Sequence, residues 1–144
     1  MRILTFLIMC LLALSNSLDA QLPENPYIGL FADESRSITC VTGTGFYPVE
    51  LWIWCLPSWN AQIYAEFAIQ YPENVIQDAV TKNESIISVD LGNLVDGISV
   101  CYKDCQSDWN WNYHQRLFVT DSESSWIEIV PHPDIGEVQF ASCS

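Results

Sequence analysis

Short runs in which apolar and polar residues alternate recur along most of this chain, and this period of two constrains the fold more than any other feature. Residues 65–71 show it most clearly, because Phe67 and Ile69 fall on one side of an extended chain while Glu66 and Gln70 fall on the other. Side chains alternate between the two faces of a strand, whereas no segment of the sequence carries a sustained helical stripe. The runs are residues 27–31, 37–42, 50–55, 65–71, 85–91, 97–102, 116–120, 126–130 and 138–141.

Gly, Pro, Asn and Asp separate these runs at near-regular intervals, a spacing that is typical of antiparallel sandwiches and barrels. We therefore predict an all-β protein, an antiparallel β-sandwich of about eight strands. Residues 74–81 are the only segment that fits a turn of helix.

The N-terminal segment has the organisation of a secretory signal peptide. Arg2 precedes an apolar run at residues 3–14 that is too short to span a bilayer, and small and polar residues lead to Ala20. A buried apolar helix or a membrane anchor is the alternative interpretation of this run. We expect cleavage after Ala20 and a secreted, extracellular or periplasmic location. The predicted organisation is a signal peptide at 1–20, an irregular lead-in at 21–35 and the β-sandwich domain at 36–144.

The charge balance argues against one large class of partner. The net charge is -13, and the chain has only five Lys and Arg residues. After residue 20 these are Arg36, Lys82, Lys103 and Arg116, which stand singly in the sequence. Proteins that bind nucleic acid need clustered cations to neutralise phosphates, so we expect no nucleic acid partner. No second apolar run is long enough to span a membrane, so we expect no membrane span.

The cysteines agree with an oxidising location. The chain has six, and loss of Cys10 with the signal leaves an odd number. Disulfides form and persist in such compartments, so we predict a monomer or a disulfide-linked dimer. A C-x3-C pair without a second close pair is a weak zinc signal, and we predict no metal site. The expected arrangement is a Cys101–Cys105 bridge, a Cys40–Cys143 bridge and a free, buried Cys55, although the sequence leaves the connectivity open.

The aromatic residues indicate how the domain binds. Residues 108–114 read Asp-Trp-Asn-Trp-Asn-Tyr-His, which in an extended strand places three rings on one face and two amides and an imidazole on the other. Exposed rings cover the apolar C–H surfaces of sugars, while nearby polar groups take their hydroxyls. Trp52 and Trp54 extend such a surface unless they fill the core between the sheets. The predicted binding residues are Trp59, Trp109, Trp111, Tyr113 and His114.

Catalytic and metal motifs are weak in this sequence. Only two histidines are present, and neither a G-x-S-x-G elbow nor an H-E-x-x-H pair accompanies them. We therefore expect no enzyme, and the alternative is a small secreted hydrolase in which His114 acts as a base with Asp108 or Glu66. We also expect no cofactor, with structural calcium held by loop carboxylates as the alternative. The calcium candidates are Asp104, Asp108, Asp121 and Glu123.

Two further polar residues bear on surface exposure. Asn83 begins the tripeptide Asn-Glu-Ser, which matches the acceptor pattern for N-glycosylation and predicts surface exposure in a host that glycosylates, but has no meaning in a bacterial host. His132 lies between Pro131 and Pro133, in a sequence that predicts a stiff surface turn.

Two segments carry a family resemblance. Residues 89–100 hold the pattern Gly-x-Leu-x-x-Gly between two strand-like runs, and residues 67–75 fit an earlier strand and turn. In these motifs the chain resembles secreted bacterial immunoglobulin-like and cohesin-like modules, over about half of the chain that follows the signal. The resemblance implies an immunoglobulin-like or cohesin-like β-sandwich that binds or spaces other molecules, and it carries over no catalytic residue. We therefore predict a secreted, non-catalytic binding or structural module, with an extracellular glycan or protein as its partner.

Overall fold

Nine β strands make up the part of the chain that the computed structural model describes, residues 22–42 and 46–143. These residues contain no helix, and so none that could cross a membrane. The predicted signal peptide at 1–20 lies outside the described residues. The strands are β1 (Tyr27–Phe31), β2 (Tyr47–Leu56), β3 (Gln62–Gln70), β4 (Val75–Lys82), β5 (Ile87–Asn93), β6 (Gly97–Gln106), β7 (Asn110–Val119), β8 (Glu128–Val130) and β9 (Gln139–Ser142).

The strands form two antiparallel sheets packed together, which confirms the predicted all-β sandwich. One sheet has four strands in the order β1-β2-β7-β4, and the other has five, in the order β5-β6-β3-β8 with β9 also paired to β3. β9 pairs with the first half of β3 and β8 with its second half. β1 occupies the run at 27–31 that was predicted as a short strand within the lead-in 21–35, and it pairs along its full length with β2. The segment 74–81, which could hold one turn of helix, instead belongs to strand β4 from Val75 onward.

The core between the sheets follows from the alternation seen in the sequence. Ile53 of β2, Phe67 of β3 and Leu117 of β7 are at most 1% exposed. Each buried side chain of this size contributes roughly 1.5–3 kcal/mol to folding. On β3 the residue that precedes Phe67, Glu66, belongs to the opposite face and accepts a hydrogen bond from the Ser99 hydroxyl of β6. Side chains also alternate along the strands of the four-stranded sheet, so part of them lie on its outer face, away from the core.

The segment 37–42, predicted to be a strand, is a loop. The Asp33 carboxylate accepts hydrogen bonds from the backbone N–H groups of Ser37 and Ile38, at 2.9 and 2.7 Å. Backbone donors that are satisfied in this way are not free to join a ladder of strands. The Ser35 hydroxyl also donates a hydrogen bond to Asp33. This bond, with smaller effects from Ser37 and Ile38, lowers the pKa of Asp33 to about 2. A side chain, and not strand pairing, therefore sets the shape of this loop.

A disulfide joins Cys105 of β6 to Cys143, with 6.0 Å between their Cα atoms. Both predicted bridges are therefore wrong. Cys101 and Cys105 lie four residues apart on one strand, where extended chain separates Cα atoms by roughly 13 Å, beyond the reach of a disulfide. The register between β3 and β6 shifts just before Gln106, and Cys105 lies in this irregular part of β6. The predicted bridge to Cys40 fails because Cys143 is already paired, which leaves Cys40 free.

The remaining described cysteines differ in exposure. Cys40 and Cys101 are exposed free thiols, whereas Cys55 is a free thiol with no exposed surface. Asn112 donates a hydrogen bond to the Cys55 sulfur at 3.0 Å, and burial raises the pKa of this thiol to about 12. Because the thiolate is the reactive form, Cys55 is expected to be inert and the two exposed thiols accessible.

Candidate functional site

Rings from three neighbouring strands share the outer face of the four-stranded sheet. Ile53 points into the core, so Trp52 and Trp54 on either side of it fall on the outer face. The register then places Phe31 and His114 beside Trp52, one on each side. We call this set of side chains the aromatic face. It consists of Tyr27 and Phe31 on β1, Trp52 and Trp54 on β2, and Trp109, Trp111 and His114 at or on β7.

Trp52 is the centre of one half of the aromatic face. Its ring stacks on the His114 imidazole with centroids 4.1 Å apart, and it meets Trp111 edge-to-face at 5.5 Å. The Glu50 carboxylate lies 2.6 Å from His114 Nε2, and both side chains are partly exposed to solvent. This half of the face therefore presents ring surface beside a carboxylate and an imidazole.

Trp109 is the centre of the other half. It meets three rings edge-to-face, with centroid distances of 6.1 Å to Tyr27, 6.0 Å to Phe31 and 6.5 Å to Trp54. The Arg36 guanidinium lies 4.5 Å from the centroid of Trp54 and 5.1 Å from that of Trp109. A cation over a ring face is attracted by about 0.5–2 kcal/mol, depending on its exposure. Arg36 thus covers Trp54, which is only 7% exposed although it belongs to the outer face.

Gly29 leaves room for the two rings of β1 on the aromatic face. It pairs with Trp54 across the strands, between Tyr27 and Phe31 on its own strand. A Cβ atom at this position would lie 2.5 Å from the Phe31 ring and 2.9 Å from the Tyr27 ring. The two rings therefore occupy the space that any larger residue would fill, and a side chain here would push them off the face.

A β-bulge decides which side chains of β7 reach the aromatic face. Trp54 pairs with Trp111 but Ile53 pairs with Tyr113, so Asn112 is an extra residue on β7. Both Asn112 and Tyr113 turn inward, at 0% and 2% exposure. From Tyr113 onward, each side chain of β7 therefore lies on the face opposite to the one that unbroken alternation predicts. The prediction that Tyr113 shares a face with Trp111, opposite His114, is therefore wrong.

The inward side chains form polar contacts that cross the core. The Tyr113 hydroxyl donates to Asp90 Oδ2 at 3.0 Å, and Lys82 Nζ lies 2.8 Å from the other oxygen of this carboxylate. Partial burial raises the pKa of Asp90, but the bonds from Lys82 and Tyr113 outweigh it, so the pKa lies below its ordinary value. Asn112 donates to the Tyr102 hydroxyl at 2.7 Å. Tyr113 therefore connects the two sheets and is not a surface residue.

The carboxylates expected to assist His114 lie elsewhere. Glu66 belongs to the five-stranded sheet and is 7% exposed, where it accepts the Ser99 hydrogen bond. Asp108 precedes β7 and accepts a hydrogen bond from the backbone N–H of Trp109 at 2.6 Å. The carboxylate that the fold brings to His114 is Glu50, which the sequence pattern did not indicate because the two residues are distant in the chain.

Trp59, the remaining predicted binding residue, is not part of the aromatic face. It lies in the turn between β2 and β3, is 67% exposed, and donates its backbone N–H to Pro23 at 3.3 Å. Trp126, which the sequence analysis did not single out, is 78% exposed in the segment between β7 and β8. Within residues 22–42 and 46–143, neither ring takes part in a ring–ring contact, unlike those of the aromatic face.

The candidate calcium ligands do not converge. Asp121 and Glu123 line a cleft of about 390 Å³ together with Glu73 and Asn74, but Asp104 belongs to β6. Asn74 donates to Asp121 Oδ1 at 2.9 Å, and this bond lowers the pKa of Asp121. Over the described residues, no three His, Cys, Asp or Glu side chains form a group that could hold a metal ion.

Asn83 of the glycosylation pattern and His132, which was predicted in a surface turn, are both buried. Asn83 is 7% exposed, and its Nδ2, the atom that glycosylation would modify, donates to the backbone oxygen of Trp111 at 2.8 Å. Asn83 therefore fixes the backbone beneath the aromatic face. His132 is 9% exposed and packs against Gly97, where a Cβ atom would lie 2.5 Å from its Nε2.

The aromatic face thus combines seven rings, an overlying guanidinium and a carboxylate on one side of the four-stranded sheet. In comparisons of the chain with known protein families, curated proteins and solved structures, no match was found.

Proposed function

We propose that this protein is a secreted, non-catalytic binding module whose aromatic face takes an extracellular glycan. The observation that carries the proposal is the outward position of the aromatic face, since its rings lie on the side of the sheet opposite the core. Trp52, Trp109 and Trp111 are half-buried there, so each retains surface that a ligand can cover.

The chemistry of the face favours a sugar over a polyanion or a simple apolar ligand. Sugars present C–H faces that rings cover and hydroxyls that polar groups bind. Glu50 and His114 supply such polar groups beside Trp52, and Arg36 supplies one beside Trp109. The net charge of -13 disfavours an anionic polymer.

Aromatic pairs on a sheet surface also stabilise the sheet itself, by roughly 0.2–1 kcal/mol for each cross-strand pair. A test of binding must therefore separate lost affinity from lost folding. Tyr27 is suited to this because it is 53% exposed, whereas Trp52 packs against two rings and contributes more to stability.

The test is a glycan array probed with residues 21–144, followed by calorimetric titration of a glycan that binds. We expect Trp52→Ala and Tyr27→Ala to weaken binding by about 10- to 100-fold, because covering a ring contributes roughly 1.5–3 kcal/mol. Trp126→Ala is the matched control, since this exposed ring lies outside the aromatic face, and it should bind like the wild type. The melting temperature of each variant reports its folding.

Three results would contradict or redirect the proposal. An array without a bound glycan, or folded face variants with unchanged affinity, would contradict glycan binding by this face, and binding to a protein would then be the alternative. Release of reducing ends from a bound glycan, lost in His114→Gln, would support the hydrolase alternative. None of the three results would affect the fold described above.

Secretion and assembly are part of the same proposal. The composition of residues 1–20 and the Cys105–Cys143 disulfide support a location outside the cytoplasm. The exposed thiols of Cys40 and Cys101 support a disulfide-linked dimer as the alternative to a monomer. Mobility on a non-reducing gel, with and without substitution of both cysteines by serine, distinguishes the two states.

A further inference from the structure

A second concave surface, lined by residues other than those of the aromatic face, lies where the β2–β3 turn meets strand β9. It is a cleft of about 300 Å³ between the β2–β3 turn and strand β9. Ser58, Asn60 and Ala61 of the turn line one side, Phe140 of β9 lines the other, and Gln62 also lines it. This volume lies at the small end of the range for ligand pockets.

Gln62 leaves an unpaired acceptor at this cleft. The residue is 1% exposed, and its amide nitrogen donates to the backbone oxygen of Tyr64 at 3.2 Å. Its amide oxygen is buried and has no hydrogen-bond partner among the described residues. A buried acceptor without a partner costs about 1–3 kcal/mol, so a ligand that donates a hydrogen bond here would recover that energy. The terminal torsion of a glutamine is soft, which lets the amide turn toward a ligand.

The other lining residues define the class of ligand. Among the described residues that line the cleft, none carries a formal charge. Ser58 and Asn60 add a hydroxyl and an amide, while Pro26 and Phe140 add apolar surface. Trp59 lies between Ser58 and Asn60 in the turn and is 67% exposed. A neutral ligand rich in hydroxyl donors, with an apolar side for a ring, matches these groups.

The walls of the cleft are held in place by the fold. Ala61 has a φ of 58° and donates its N–H to the Ser58 oxygen at 3.0 Å, which closes the turn tightly. On the opposite side, Ser142 of β9 pairs with Gln62, and the next residue, Cys143, is tied to Cys105 of β6. A preorganised site loses less entropy on binding, so even a small ligand can bind measurably.

We propose that this cleft binds one neutral sugar unit, with the Gln62 amide oxygen accepting a hydrogen bond from a sugar hydroxyl. The inference does not rest on the proposed role of the aromatic face, because the two surfaces are formed by different residues. It goes beyond that role by assigning a separate monosaccharide site to the β2–β3 turn and β9.

The test follows the side-chain amide of Gln62 and the indole N–H of Trp59 by ¹H–¹⁵N NMR of residues 21–144. The probes are glucose, galactose, mannose and N-acetylglucosamine, each added separately. We expect saturable shifts of both signals with at least one sugar, with a Kd of roughly 1–10 mM. Gln62→Met keeps the length of the side chain but removes the acceptor, so shifts at Trp59 should be lost or weakened at least fivefold.

Asn60→Ala is a second variant in case Gln62→Met does not fold, because it changes a surface turn and should also weaken binding. Trp126→Ala is the control and should leave the shifts unchanged. The proposal is overturned if none of the four sugars shifts either signal, or if folded Gln62→Met and Asn60→Ala bind with the wild-type Kd. Loss of glycan binding in Trp52→Ala with these shifts retained would show that the two sites are independent.

Discussion

Replacement of Tyr113 by phenylalanine tests the bulge that distinguishes the structure from the simple alternation of the sequence. The change removes one oxygen and leaves the ring in place. If Tyr113 points into the core, as the structure places it, the change deletes the bond to the Asp90 carboxylate at 3.0 Å. If Tyr113 lay on the outer face with Trp111, the same change would delete nothing that holds the sheets together.

The expected loss can be estimated from the surroundings of Asp90. Hydrogen bonds to charged groups contribute about 1.5–3 kcal/mol to stability. The Asp90 side chain is 25% exposed and keeps its ion pair with Lys82 after the change, so the lower part of this range applies. We therefore expect Tyr113→Phe to lower the free energy of unfolding by about 1.5–2 kcal/mol and the melting temperature by about 5–8 °C.

The effect should depend on pH in one direction. The pKa of folded Asp90 is lower than its ordinary value, so its stabilising contribution is complete above the unfolded pKa of about 3.9 and is lost as the pH falls through the folded pKa. The difference between Tyr113→Phe and the wild type should therefore be full at pH 7 and shrink in acid.

Urea unfolding of residues 21–144, followed by tryptophan fluorescence between pH 3 and 7, measures both quantities. Tyr47→Phe is the matched control, because Tyr47 is 51% exposed at the start of β2, and its stability should change by less than about 0.5 kcal/mol. A Tyr113→Phe protein as stable as this control at pH 7 would refute the inward position of Tyr113.

Two further predictions follow from local geometry. A thiol reagent should label Cys40 and Cys101 in the folded domain within minutes but Cys55 only on unfolding, because burial raises the pKa of the Cys55 thiol to about 12. Rapid labelling of all three thiols would contradict the core position of Cys55. Gly92→Ala should destabilise by about 3 kcal/mol or more, since φ is 93° and the new Cβ would lie 2.2 Å from a backbone oxygen of the same hairpin. Gly136 has a φ of 80°, but no atom lies within 4 Å of the Cβ that alanine would add there, so Gly136→Ala should lower the free energy of unfolding by only about 1–2 kcal/mol. Thermal unfolding measures both variants, and equal losses would refute the argument from the close approach at Gly92.

Much of the fold could be predicted because alternation is a local property. The run around Phe67 and Ile69 predicts a half-buried strand without reference to any partner, and β3 occupies this segment. Such patterns were enough for the all-β class and the sandwich. They failed at 37–42, where the Asp33 carboxylate takes the first two backbone donors, and at 75–82, where β4 exposes most of its side chains and so lacks a clear apolar side.

The candidate site was only partly predictable, because its composition depends on pairing between distant strands. The sequence identified Trp109, Trp111 and His114 as binding candidates, and all three lie on the aromatic face. It could not identify Arg36 or Glu50, which reach the face from a loop and from another strand.

The sequence by itself determined the strand periodicity, the acidic charge and the abundance of rings, since each depends on residue type and local spacing alone. Only the tertiary structure decided the face that each ring takes, because the bulge at Asn112 arises from the register between β2 and β7. It also decided the disulfide, because Gln106 of β6 and Ser142 of β9 both pair with Gln62 at the start of β3, and their neighbours Cys105 and Cys143 meet there. Strand register and sheet order are set by contacts between residues far apart in the chain, which no local pattern can specify.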